Sequence, residues 1–239
     1  MVPSREDLKI RLFADGADLA GMIEMASKPF ISGLTTNPTL MKKAGITDYV
    51  KFAKEVLKEI QDKPISFEIF SDELEEMKVQ GEKISSWGNN VYVKIPITNT
   101  RGQSTKSVVH HLAKNGVKVN VTALMTSQQV SQVANILDSS VPSCVSVFAG
   151  RIADTGRDPL PIMEESLTVL SLNKNAELIW ASPRELLNVF QADQIGCHII
   201  TATNDILKKL ELIGINLEGY SLETVRMFYN DAVLAGYQI

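Results

Sequence analysis

Polar side chains recur where short apolar runs come to an end. Asp15 follows the run at 10–14, Thr36 and Asn37 follow 30–34, Glu68 lies within 65–69, and Lys94 sits between Val93 and Ile95 in 91–97. Asn120 and Thr122 fall in 117–124, Ser146 and Phe148 in 144–149 just before Arg151, and Ser182 and Arg184 after 177–181. Burying a polar group without a partner costs roughly 2–7 kcal/mol, so its repetition on run after run points to one shared cavity. Lys94 carries the sharpest chemistry. Burial disfavours the charged form of an amine, and a neutral lysine attacks a carbonyl to form a Schiff base. The alternative is a strand-end lysine that lays its stem on the core and keeps its ammonium in water.

The other positions also carry two readings. Asn37-Pro38 is a favoured N-cap followed by a favoured N1 residue. Ser182-Pro183-Arg184-Glu185 has the spacing of a capping box, with a helix predicted to start there. Helix starts also bind phosphate, and Arg151 and Arg184 together suit a bidentate grip on one anionic group; alone, each is an ordinary surface arginine. Residues 72–76 read as a solvated, acidic first helical turn. His110 and His111 fall on a predicted helix and His198 on a predicted strand. Cys144 and Cys197 read as small buried hydrophobes on strands six and eight. Two cysteines and three histidines are too few for a disulfide framework or a Cys/His zinc site, so no metal is expected.

These residues must be positioned by the elements that carry them. The runs at 10–14, 30–34, 65–69, 91–97, 117–124, 144–149, 177–181 and 197–202 are rich in β-formers. Helical spacing separates most of them, as at 49–60, 72–87 and 127–137. Strands alternating with helices define a parallel sheet, and eight such units in 239 residues match a single (β/α)8 TIM barrel. A doubly wound open sheet would share the rhythm, but no G-x-G-x-x-G follows the first strand. Barrel enzymes work at the C-terminal ends of their strands, where these polar residues fall. The whole span 1–239 is read as one barrel domain with a C-terminal helical extension. A net charge of −4 argues against a general nucleic-acid binder. The first residues lack the apolar core of a signal peptide, and no apolar stretch reaches membrane-spanning length. A cytoplasmic location without membrane partners is expected.

Asp15, T-T-N-P at 35–38, V-K-I-P at 93–96, S-V-F-A-G-R-I at 146–152 and A-S-P-R at 181–184 together resemble the transaldolase family. The resemblance is to its short branch, which also contains the fructose-6-phosphate aldolases, and spans residues 8 to about 210 in order. It implies a class I aldolase barrel that needs no cofactor, with Lys94 as the Schiff-base lysine. It also implies Asp15 as the base on the substrate hydroxyl, and Glu68 and Thr122 with a water as the proton shuttle. Thr36, Asn37, Asn120, Ser146 and Phe148 would line the substrate site, and Arg151, Ser182 and Arg184 the phosphate clamp.

The aldolase branch has Gln and Tyr where this chain has Glu68 and Phe148, so the resemblance favours a transaldolase. Such an enzyme moves a dihydroxyacetone unit from fructose 6-phosphate to erythrose 4-phosphate, within the pentose phosphate pathway. The alternative is a fructose-6-phosphate aldolase, or a relative acting on another anionic ketose such as a sulfo-sugar. Ala-Asp-Gly at 14–16, Val-Thr-Ala-Leu-Met at 121–125 and Thr-Ala-Thr-Asn at 201–204 depart from the family's usual pattern. The expected partners are sugar phosphates and further copies of the chain, as a pentamer or decamer.

Overall fold

In the computed structural model, which describes residues 4–239, the eight apolar runs form eight parallel strands. They are β1 (Arg11–Asp15), β2 (Ile31–Thr35), β3 (Ile65–Glu68) and β4 (Val91–Pro96), then β5 (Val119–Leu124), β6 (Ser143–Val147), β7 (Ala176–Trp180) and β8 (Ile199–Thr203). Each pairs with the next in chain order, and β8 pairs back onto β1 to close the barrel. That closure excludes the open sheet. Strand ends differ from the sequence expectation by one or two residues, so Cys197 and His198 precede β8 rather than lie in it.

The strands' period of two sorts their side chains. Outward-facing Leu12, Leu34, Phe67, Val93, Val145 and Trp180 join the main core between the barrel and its helices. Inside, Phe13, Cys144, Ile179 and Ile199 form a separate apolar plate, with Tyr92 against it. Gly33 makes room for this plate, since a Cβ there would lie 2.4 Å from the Phe13 ring. Below the plate, Arg11 pairs with Glu177. The inward positions above the plate are the polar ones.

The helices cover the outside and their ends shape the mouth. They are α1 (Leu19–Ser27), α2 (Pro38–Lys43), α3 (Tyr49–Glu59), α4 (Leu74–Ser85), α5 (Lys106–Lys114), α6 (Ser127–Ala134), α7 (Ala149–Ala153), α8 (Leu160–Leu170), α9 (Leu187–Gln194) and α10 (Asn204–Lys208). In α3, Phe52, Ala53 and Val56 fall on one face and are buried, while Asp48 caps the start by accepting from the Lys51 N–H. α6 begins with a complete capping box between Thr126 and Gln129. The acidic stretch at 72–76 opens α4, with Asp72 outside the helix holding Thr100 and Arg101. After the barrel comes α11 (Leu217–Leu234), in which no residue is buried. No helix of the described residues is long and apolar enough to cross a membrane.

Candidate active site

The C-terminal mouth of the barrel opens into a cavity of about 630 Å³. Lys94 reaches it from β4. Register places Glu68, Lys94 and Asn120 side by side on β3, β4 and β5, and all three point inward. The Lys94 side chain is 8% exposed, so it does not snorkel. Its Nζ donates to the Thr36 carbonyl at 2.9 Å and lies 3.3 Å from a Glu68 carboxylate oxygen. An amine so placed faces the cavity with a carboxylate beside it.

Asp15 ends β1 and lines the same cavity. Burial pushes its carboxyl above the usual carboxylate range; the Lys94 charge and hydrogen bonds from Thr35 and Asn37 pull the other way and do not cancel the shift. The Thr35 hydroxyl donates to Oδ1 at 2.8 Å and the Asn37 amide to Oδ2 at 3.2 Å. Asn37 serves twice, because its Oδ1 also caps α2 by accepting from the Leu40 N–H, with Pro38 at N1. The cap reading of Asn37-Pro38 therefore holds, and the same asparagine side chain lines the cavity beside Asp15.

Two residues expected at the substrate, Thr36 and Asn120, lie beneath the cavity surface. The Thr36 hydroxyl donates to the Ser66 carbonyl at 2.9 Å and is fully buried, so only its carbonyl meets Lys94. Asn120 is also fully buried and links Ser66 to Ser146: its amide donates to the Ser66 hydroxyl, and its carbonyl accepts from the Ser146 hydroxyl. Ser146 itself lines the cavity, as does Thr122. The Thr122 Oγ1 is buried with no partner among the described residues, an unusual state for a hydroxyl. The next residue, Ala123, has φ +65, and the β5–β6 register shifts between Val121 and Leu124. This bulge re-aims the end of β5 at the mouth.

At the far side lie Phe148, Arg151, Ser182 and Arg184. The expected capping box at 182–185 does not form. Ser182 adopts the left-handed conformation (φ +61), and α9 starts only at Leu187 with no side-chain cap on Leu186. The Asn188 side-chain oxygen Oδ1 instead accepts from the N–H groups of Arg184 and Glu185. The Ser182 carbonyl presses on α7, where a Cβ on Gly150 would lie 1.6 Å from it. Only glycine fits there. Arg151 stacks over the Phe148 ring, 5.7 Å from its centroid. Arg184 is not free: its fork grips both carboxylate oxygens of Asp154, which holds that carboxyl below its ordinary range.

Sequence reasoning did not single out Thr35, Thr201, Asp154 or Ser66. Thr35 belongs to T-T-N-P and Thr201 to the departing segment at 201–204, but neither stretch by itself tells that the two hydroxyls meet beside Asp15; Ser66 and Asp154 carry no signal. Elsewhere, His198 is half-buried and accepts from the Leu178 N–H, and burial pushes the Cys197 thiol up to about 12. His111 pairs with Glu82 on the helical surface.

The closed (β/α)8 barrel thus brings a buried lysine, two carboxylates and two arginines around one mouth. The sequence matches the Transaldolase/Fructose-6-phosphate aldolase family over residues 12–233, and the chain belongs to that family. It is 34% identical to a probable transaldolase of Thermoanaerobacter sp. (strain X514) over 202 residues, 84% of this chain and 89% of the relative. Probable transaldolases of Brevibacillus brevis and Clostridioides difficile are 32% and 33% identical over 84% of this chain, covering 90% and 89% of those proteins.

Proposed function

We propose that this protein is a transaldolase that carries a dihydroxyacetone unit on Lys94. The observation that carries the reading is the enclosed Lys94 amine, 3.3 Å from Glu68, in a cavity that it shares with Asp15. The Lys94 nitrogen adds to the ketose C2 carbonyl, and water leaves to give the imine. Glu68, the Thr122 hydroxyl and a water move the protons of that step. Asp15 takes the proton from the C4 hydroxyl, the C3–C4 bond breaks, and the aldose departs while an enamine stays on Lys94. The enamine adds to the carbonyl of a second aldose, and hydrolysis of the new imine frees the lysine.

The rest of the site serves this sequence. Asn37 and Ser146 hydrogen-bond the three-carbon unit. Thr36 and Asn120 act from behind, the first through its carbonyl on Lys94 and the second by aiming the Ser146 hydroxyl. Arg151, Ser182 and Arg184 hold the anionic end of the sugar. Transfer is favoured over release by Glu68 and Phe148: an apolar ring cannot bind a water that would protonate the enamine. Fructose 6-phosphate and erythrose 4-phosphate are the substrates in this reading, within sugar-phosphate metabolism in the cytoplasm. The exposed apolar side chains of α11 support a homo-oligomer, a pentamer or decamer.

Borohydride added to enzyme and fructose 6-phosphate should leave a covalent label on Lys94 alone, located by peptide mapping. A label on another lysine would reject the mechanism. Dihydroxyacetone released without acceptor should be slow beside transfer to erythrose 4-phosphate, and Phe148→Tyr should raise the release. A wild-type enzyme that releases it as fast as it transfers it is an aldolase.

A further inference from the structure

Asp15 stands on β1 between β2 and β8, and a hydroxyl from each neighbour meets across the inner face of that strand. The Thr35 and Thr201 hydroxyl oxygens are 2.6 Å apart, and Thr35 Oγ1 is 2.8 Å from Asp15 Oδ1. Both threonines are buried, at 2% and 6% exposure, and both line the cavity. The Phe13 ring fills the position below, since its register partners are Gly33 on β2 and Thr201 on β8. A hydroxyl has one hydrogen to give. If Thr35 spends its hydrogen on the carboxylate, the short contact to Thr201 is a bond only when Thr201 donates. Among the described residues the Thr201 hydroxyl has no other partner, so nothing competes for that hydrogen.

We infer that Thr201 is a positioning residue for Asp15, its hydroxyl donating to Thr35 and the Thr35 hydroxyl donating to the carboxylate. The role rests on the Schiff-base reading, in which Asp15 is the base. Two donors in line polarise one another and favour the anionic carboxylate over the acid. They also set its orientation: Oδ1 is held by Thr35 and Oδ2 by Asn37, at the wall of the cavity. The chain thus opposes burial, which favours the neutral acid. The charged groups around Asp15 are Lys94 on β4, Glu68 on β3, Lys43 on α2, Asp205 on α10 and Asp18 ahead of α1, with Arg151 and Arg184 across the cavity. Removing one uncharged hydroxyl from β8 changes none of these charges.

The test compares Thr201→Val and Thr201→Ala, which lack the hydroxyl, with Thr201→Ser, which keeps it. Transfer from fructose 6-phosphate to erythrose 4-phosphate is followed across pH. Lys94 labelling by dihydroxyacetone and borohydride is measured in parallel. In the valine and alanine variants the acidic limb of the kcat/KM profile should move up by about 0.5–1 pH unit, because weaker support for the anion raises the pH at which the base form appears. Turnover at neutral pH should fall about 5–10-fold, with KM and Lys94 labelling within about two-fold of wild type. Serine should restore both limb and rate. A wild-type acidic limb in valine and alanine, or a serine variant as impaired as they are, overturns the role of Thr201 while leaving the Schiff base standing. Failure of the wild type to label at Lys94 overturns the Schiff-base reading and this role with it.

Discussion

At Asp15 a carboxylate is kept where burial favours its neutral acid. Its pKa in the fold is raised above the unfolded value, so the ionised form opposes folding at neutral pH. Below the unfolded carboxylate pKa of about 3.9 both states are protonated and the penalty is gone. Asp15→Asn should therefore melt higher than wild type at pH 7, and the advantage should vanish as pH falls toward 4. Cleavage should drop about 10²–10⁴-fold in the same variant, with labelling of Lys94 retained. An Asn variant that melts lower at pH 7 than at pH 4, relative to wild type, contradicts this balance. A second residue-scale outcome concerns Asp154. Its pair with Arg184 is half-exposed and contributes little to stability, but it fixes the direction of the guanidinium. Asp154→Asn should raise KM for fructose 6-phosphate about 3–10-fold by freeing that fork, while the melting temperature stays within about 2 °C.

At the scale of elements, the mouth is built by short segments that abandon regular geometry. The bulge in β5 brings Ala123 into the cavity lining, where the alternation of an unbroken strand would turn it outward, and the left-handed Ser182 delays the helix after β7. Gly150 permits the second of these, because α7 and the segment after β7 touch backbone to backbone. Gly150→Ala must push the Ser182 carbonyl aside. It should lose about 1–3 kcal/mol and, by displacing Ser182 and Arg184 together, weaken fructose 6-phosphate binding more than Asp154→Asn does. Denaturant melts and KM values check the two effects separately; a fully stable variant with wild-type KM would show that this contact does not shape the site.

For the molecule as a whole, α11 is the part the barrel does not explain. Its Leu222 and Phe228 are exposed at 49% and 63%, and no side chain of the helix is buried. An apolar helix left in water is a standing aggregation hazard unless another chain covers it. In the oligomer reading, light scattering of the wild type should give a multiple of 26.3 kDa, and Leu222→Glu with Phe228→Glu should lower that multiple. A monomeric wild type rejects the reading.

The rhythm of eight apolar runs was enough to specify parallel strands alternating with helices, because buried β-strands and amphipathic helices impose different periods on the same chain. That β8 closes onto β1, where an open sheet would share the rhythm, shows in the fold. Lys94, Asp15, Glu68 and Asn37 were legible for the same reason: each is a polar interruption of an apolar pattern, and each faces the mouth. What the pattern could not carry was the direction of a neighbour one residue away, or a partner far along the chain. Thr36 and Asn120 looked like substrate contacts and are fully buried beneath the cavity surface, Asn120 although its register turns it inward beside Lys94, since the groups they hydrogen-bond come from other strands. Ser182 looked like a helix cap, and its left-handed backbone shows only once Gly150 is packed against it. Arg184 meets Asp154 across 30 residues and Thr35 meets Thr201 across 166. Those pairings exist because β8 closes onto β1 and the segment after β7 closes onto α7, which is a property of the folded ring rather than of any local stretch of sequence.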